Sequence, residues 1–165
     1  GALADSLPTV LDGGAIDLHD RTTGPVVMTP HYRELARLLR TDPGTVAADP
    51  GRWARSAADE LGVTVLLKGH TTYVAGDGIA LSVSAAPAWL ATAGAGDALA
   101  GILGALVATH AQRVGEDPTE LARLAATAAM LHGLAAEAAS AGGPLTILDL
   151  CHQLPTVIAG LISPR

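Results

Sequence analysis

The sequence predicts an α/β layered fold: a mostly parallel sheet covered by helices on both faces, with one antiparallel hairpin at its edge. Three observations carry the prediction. Short apolar runs alternate with helix-period stretches from Pro8 onward, the order that builds parallel strands joined by helices. Val63-Thr64-Val65-Leu66-Leu67 is near-continuously apolar, as expected of a strand covered on both faces. Thr92 to Leu103 is a small-residue loop running into an amphipathic helix, with apolar residues at Leu99, Ile102, Leu103, Leu106 and Val107.

Composition bounds the partners. A chain of 165 residues fits one domain, 1–165, and can bury a real core. With 49% hydrophobic residues, 19 Gly and no Phe, that core must be aliphatic, Ala-rich and closely packed. A net charge of −6 argues against nucleic acid or an anionic membrane as partner. An anionic ligand must then be held by local dipoles and one or two cations. The single Cys151 cannot form an internal disulfide, and no membrane-length apolar run or signal peptide is visible, so a cytoplasmic location is expected.

The elements follow in order. Pro8 to Asp12 reads as a strand ending in a carboxylate, with Gly13-Gly14 as a turn. A carboxylate there suits a ligand site at the sheet's edge or a plain turn. Val26-Val27-Met28 is a second strand. Thr29 as N-cap and Pro30 as first residue are expected to open a helix with Leu35, Leu38 and Leu39 inward and His31 in its first turn. The helix dipole disfavours a charged imidazole there, so His31 reads as a neutral hydrogen-bonding group. Asp49-Pro50 starts the next helix, with Trp53, Ala57, Ala58 and Leu61 inward and Gly62 ending it.

The strand 63–67 ends at Lys68-Gly69. Lys68 is the only lysine against nine arginines, and position and rarity together favour a functional role over a strand-end lysine. Thr71 to Ala75 and Ile79 to Val83 flank Gly76-Asp77-Gly78 as a hairpin. Asp117-Pro118-Thr119-Glu120 has the residues of a capping box for a helix with Leu121, Leu124, Ala125, Ala128 and Leu131 inward. His132 reads as a packed helix residue without chemistry. Thr146 caps a last helix, Cys151 is an inert buried thiol, and Pro155 starts a final short helix.

Nothing from Ala93 to Gly96 is larger than a methyl, so a ligand can approach the backbone closely. A helix's first turn has free N–H groups and partial positive charge, which suits an anion, most often phosphate. Asp97 at that mouth is either an N-cap or a general base, and spacing alone favours the cap. No P-loop is present, and Gly94-x-Gly96 lacks the third glycine of a dinucleotide-binding turn. Asp12, His31 and Lys68 nevertheless stand at three strand ends, and the Gly94 to Asp97 loop makes a fourth piece at the same edge.

Three segments carry a family resemblance. Thr29-Pro30-His31-Tyr32-Arg33-Glu34, Leu67-Lys68-Gly69-His70-Thr71-Thr72 and Leu90 to Leu103 resemble, in order, the T-P-H-x-x-E, L-K-G-x-x-T and A-T-x-G-x-G-D-x-L-x-G-I segments of the ADP/ATP-dependent NAD(P)H-hydrate dehydratases. The resemblance implies a three-layer α/β/α ribokinase-like fold. It further implies phosphorylation of the 6-hydroxyl of NADHX or NADPHX by ADP or ATP, with Mg²⁺ bridging phosphates, and elimination of phosphate to NADH or NADPH. By the same resemblance Asp97 is the base, and the amides of Gly94, Ala95 and Gly96 stabilise the phosphoryl group. His31, Asp12 and Asp97 contact the substrate, while Lys68, Gly69, His70, Thr71, Thr72 and Gly96 line the nucleotide.

Two small departures stand out: Ala95 where a hydroxyl is usual, and Gly13-Gly14 after Asp12 in place of the family's Ala-Asp. A larger one is that the family's segment before the Asp12 strand has no counterpart here. The chain is therefore expected to be the C-terminal portion of the domain. An incomplete site and an exposed sheet edge would favour a homo-oligomer or association with that segment. Two alternatives remain: a small-molecule kinase similar to hydroxyethylthiazole kinases, and a non-catalytic nucleotide-binding remnant.

Overall fold

The computed structural model describes residues 6–163. Five strands form one sheet in sequential order: β1 (Thr9–Leu11), β2 (Val26–Met28), β3 (Thr64–Leu67), β4 (Thr72–Gly76) and β5 (Ile79–Val83). β1, β2 and β3 run parallel, whereas β4 and β5 add antiparallel to β3 as a hairpin. Asp77 (φ +47°) and Gly78 (φ +79°) both take left-handed backbone in its turn, the Asp-Gly pairing that suits the twist of a two-residue hairpin.

Among the described residues seven α-helices pack around the sheet or on one another: α1 (Tyr32–Leu38), α2 (Pro43–Ala48), α3 (Pro50–Leu61), α4 (Ala95–Thr109), α5 (Ala111–Glu116), α6 (Glu120–Ser140) and α7 (Ile147–Ile162). The fold is the expected α/β architecture. Alternation along the strands divides the core. Met28, Val65 and Leu67 pack with Leu35, Val46 and Ala57 on the α1–α3 side. Val27, Leu66 and Val74 pack with Leu99, Leu103, Leu121 and Ala125 on the α4–α6 side. All of β3 is buried, as its unbroken apolar run requires. α7 lies on α6 through Leu150, Ala135 and Ala136.

Several local expectations are corrected. The cap of α1 is His31, two residues beyond Thr29: its Nδ1 accepts from the Glu34 amide at 3.1 Å, and Glu34 Oε2 accepts from the His31 amide at 2.8 Å. Thr29 is buried, with its hydroxyl given to Asp12 instead. Asp42-Pro43 opens α2 by the same chemistry as Asp49-Pro50 opens α3, an additional helix that the chain-order reading passed over. α6 has no capping box; Asp117 takes the Thr119 amide and hydroxyl, and Glu120 pairs with Arg113 at 3.0 Å. α7 runs unbroken through Pro155. The carbonyl that Pro155 cannot bond is that of Cys151, an exposed residue rather than a buried thiol, so water can satisfy it.

Candidate active site

The parallel strands bring three chain segments side by side at their C-terminal ends. The Thr29 amide donates to the Leu11 carbonyl at 3.0 Å, and the Lys68 amide donates to the Pro30 carbonyl at 2.8 Å. His31 and Lys68 form one further parallel bridge beyond the named strands. Backbone pairing thus sets Asp12, Thr29, His31 and Lys68 in adjacent columns.

Their side chains then bond across those columns. Lys68 Nζ donates to Asp12 Oδ1 at 2.7 Å, and the Thr29 hydroxyl donates to the same oxygen. Both ends of the ion pair are about four-fifths buried. Burial works to raise the Asp12 carboxyl, but the hydrogen bonds from Lys68 and Thr29 and the lysine's charge together hold it below the usual carboxylate value. Asp12 is therefore ionised at neutral pH, and Lys68 is fixed at the sheet's edge. Gly69 follows without a side chain because the Tyr32 hydroxyl fills the space a Cβ would take.

The glycine loop meets this pair. Gly94 caps α4 at φ +84°, a left-handed conformation that glycine adopts without strain, and no side chain caps the helix. Asp97 is the third residue of α4, exposed, and does not cap it. The cap that spacing favoured is thereby excluded. Its carboxylate stands in the first turn, where the helix's partial positive charge stabilises an anion. A Cβ on Gly96 would lie 3.3 Å from Lys68 Nζ and 3.6 Å from Asp12 Oδ2. The loop, the lysine and the carboxylate, far apart in sequence, form one corner.

A cavity of about 700 Å³ opens beside this corner, within the size range of small-molecule sites. His31, Lys68, Gly69, His70, Thr72, Ala95 and Gly96 line it. Its other wall is largely apolar, formed by Val83, residues 85–88, Leu90 and Leu99. Asp12, Gly94 and Asp97 stand outside this lining, Asp12 behind Lys68 and Gly94 against Ile147 of α7. Thr71 is not brought in; its hydroxyl bonds Ser84 Oγ at 2.9 Å. His31 is half-exposed, and its Nδ1 accepts from the Glu34 amide. One lining residue was missed by sequence reasoning: His132, buried on α6. The available signal was an ionisable residue on an inner face otherwise built of Leu and Ala.

The comparisons with known proteins fit this geometry. Residues 1–155 match the family model for NAD(P)H-hydrate dehydratase. The chain belongs to the NAD(P)H-hydrate dehydratase family. It is 41% identical over 115 residues to the bifunctional NAD(P)H-hydrate repair enzyme of Mycobacterium leprae, across 65% of this chain and 24% of that protein. It is 36% identical over 140 residues to the ADP-dependent (S)-NAD(P)H-hydrate dehydratase of Neisseria meningitidis, across 79% of this chain and 45% of that protein. Among solved structures it is similar to the Bacillus subtilis ADP/ATP-dependent NAD(P)H-hydrate dehydratase co-crystallised with ATP and Mg²⁺, with a TM-score of 0.81 and 29% identity. That match covers 96% of this chain and 56% of that one. The chain thus spans a quarter to a half of the two sequence relatives' own length. Family membership favours the dehydratase reading over the hydroxyethylthiazole-kinase-like one. No helix among the described residues is long and apolar enough to cross a membrane.

Proposed function

We propose that this chain supplies the nucleotide-binding and phosphoryl-transfer half of an ADP- or ATP-dependent dehydratase acting on NADHX or NADPHX. The observation that carries the reading is the corner where the uncapped start of α4 meets Lys68. An acidic chain holds an anion only where donors and positive charge are concentrated, and this corner concentrates both. The nucleotide's phosphates lie against the Gly96 amide and the Lys68 ammonium, since the Ala95 amide is given to the Thr92 carbonyl, with the remaining portion along Gly69, His70 and Thr72.

Asp97 takes the proton of the substrate's 6-hydroxyl as that oxygen attacks the terminal phosphorus, whose bond to the bridging oxygen breaks to release AMP from ADP or ADP from ATP. The loop amides stabilise the charge spread over the phosphoryl oxygens, the term that dominates such transfers. Elimination of phosphate then restores NADH or NADPH. His31 contacts the hydrated dinucleotide, and Asp12, held ionised, keeps Lys68 in place while its Oδ2 faces Gly96. Among the described residues no three metal-ligating side chains cluster. Mg²⁺ would be carried on the nucleotide's phosphates and would neutralise phosphate charge there.

Calorimetric titration of the chain with ADP and Mg²⁺ tests the reading. Saturable binding that weakens on substitution in the Gly94–Gly96 loop is expected. Regeneration of NADH fluorescence from NADHX, measured with the chain joined to the remaining portion of a family enzyme, distinguishes catalysis from a nucleotide-binding remnant. Absence of ADP binding would overturn the assignment of the corner.

A further inference from the structure

Thr29 follows β2 at a place that suits an apolar side chain. Val26, Val27 and Met28 before it are all buried, and Thr29 itself is 1% exposed. Valine has nearly the same shape and brings no hydroxyl to satisfy. Burying a hydroxyl costs free energy unless it finds a partner. Here sheet pairing supplies one. The register that gives the Thr29 amide to the Leu11 carbonyl at 3.0 Å also sets its hydroxyl beside Asp12, to which it donates. The Leu11 carbonyl, 3.5 Å from that hydroxyl, is the poorer acceptor.

What the bond does follows from the oxygen it reaches. The last torsion of an aspartate is broad and two-fold, so a carboxylate held by one donor can turn and present either oxygen. At Asp12 two donors converge on Oδ1: the Thr29 hydroxyl, and Lys68 Nζ at 2.7 Å. β2 lies between β1 and β3, so Lys68 reaches Asp12 across the column that Thr29 occupies. Thr29 is the stiffer of the two donors, being short, β-branched and anchored through its own amide. Lys68 is long, and its ammonium has rotatable donors. The short neutral side chain therefore fixes the carboxylate, and the carboxylate fixes the long charged one. A neutral donor also leaves the carboxylate's charge to Lys68. At the end of this relay, Nζ lies 3.3 Å from where a Cβ on Gly96 would stand, and Oδ2 lies 3.6 Å from the same point.

We propose that Thr29 is a positioning residue of this corner: its hydroxyl holds the Asp12 carboxylate in the rotation that sets the Lys68 ammonium beside Gly96. Thr29 touches no ligand, and its effect on nucleotide binding passes through Asp12 and Lys68. The effect on binding rests on the nucleotide reading of the corner, whereas the hold on Lys68 does not.

Lys68 is the only lysine in the chain, so ¹⁵N-lysine labelling gives a single ammonium signal that needs no assignment. In wild type that signal should be sharp and displaced from that of free lysine. Thr29→Val should broaden it or move it toward the free position, and Thr29→Ser, which keeps the hydroxyl, should return it. Thr29→Ala carries the same expectation as valine and replaces it if the valine variant does not fold. Titration with ADP and Mg²⁺ should follow the same order: loss of one neutral hydrogen bond predicts about three- to ten-fold weaker binding to Thr29→Val, against less than about two-fold for Thr29→Ser. Because the effect passes through Lys68, Thr29→Val should cost no further affinity in a Lys68→Ala chain. An ammonium signal indifferent to loss of the hydroxyl, a serine variant no better than the valine one, or losses that multiply in the double variant each overturn the positioning role. Wild type that binds no ADP overturns the nucleotide reading and the binding effect with it, while the ammonium signal still decides whether Thr29 holds Lys68.

Discussion

Two helices begin at the same edge of the sheet, and they begin differently. α1 starts closed: His31 and Glu34 exchange two hydrogen bonds across its first turn. α4 starts open: a left-handed glycine turns the chain, Ala95 donates to the Thr92 carbonyl at 3.3 Å, and no side chain covers the turn. Each start also has its histidine. His31 at α1 is half-exposed and partnered, while His132 beside α4 is buried with an unpartnered Nε2. A closed start spends its donors on stability, contributing about 1 kcal/mol for the cap. An open start keeps them for a ligand and leaves a site that is incomplete until something binds.

The sharpest way to break this comparison is at Asp97. Were it a capping residue, Asp97→Asn would be mild, since asparagine also caps well. As the general base its loss should lower turnover about 10²–10⁴-fold, measured in the complete enzyme, with ADP affinity changed less than about two-fold. Equal rates for variant and wild type would return Asp97 to the role of a surface carboxylate.

Acid tests the buried histidine. His132 has its folded-state pKa near 4 and its ordinary value near 6.5. Between those values the unfolded chain binds more protons than the folded one, so stability falls as pH drops through that window, by on the order of 3 kcal/mol for this group. Urea unfolding at a series of pH values should show that slope in wild type and a flatter one in His132→Leu. Matching slopes would mean that the ring is protonated without penalty in the folded chain. Asp12 acts lower down: its depressed pKa contributes stability above the ordinary carboxylate value, lost as pH falls through the folded value.

Gly96→Val probes the open start directly. The new side chain would sit between the loop and Lys68 Nζ, a flexible group that can move aside. Thermal stability should change little, since valine is no poorer a helix former than the glycine it replaces, while ADP binding weakens at least about ten-fold by calorimetry. Lys68→Ala should weaken ADP binding to a similar extent and also destabilise the fold by on the order of 1–2 kcal/mol, because Asp12 loses its partner in a partly buried place. Unchanged affinity would reduce Lys68 to a strand-end lysine.

The smallest effect belongs to the closed start. Glu34→Ala removes half the capping box and should cost about 1 kcal/mol in chemical denaturation, leaving ADP affinity untouched. A large loss of affinity there would erase the distinction between the two starts.

Much of this was legible in the residues. The buried β3, the Asp77-Gly78 hairpin and the Asp49-Pro50 cap each rest on neighbours in sequence. Local chemistry was misread where two local solutions competed. Thr29 and His31 can both cap a helix, and the choice fell to His31 because the Thr29 hydroxyl had a better partner in Asp12, reached only through sheet pairing. The same competition turned Glu120 from the α6 start toward Arg113.

The sequence by itself determined the order of strands and helices, the glycine loop ahead of α4, and the rarity of lysine that singled out Lys68. Those features depend on backbone propensity, side-chain size and periodicity over a few residues. Only the tertiary structure decided that Lys68 would meet Asp12, 56 positions away, under Gly96. It also decided that His132, buried on α6, would line the cavity beside them. Parallel pairing fixes which strand ends become neighbours, and a glycine fixes how closely a helix approaches a wall. Both are distances in space, which residue spacing along the chain does not encode.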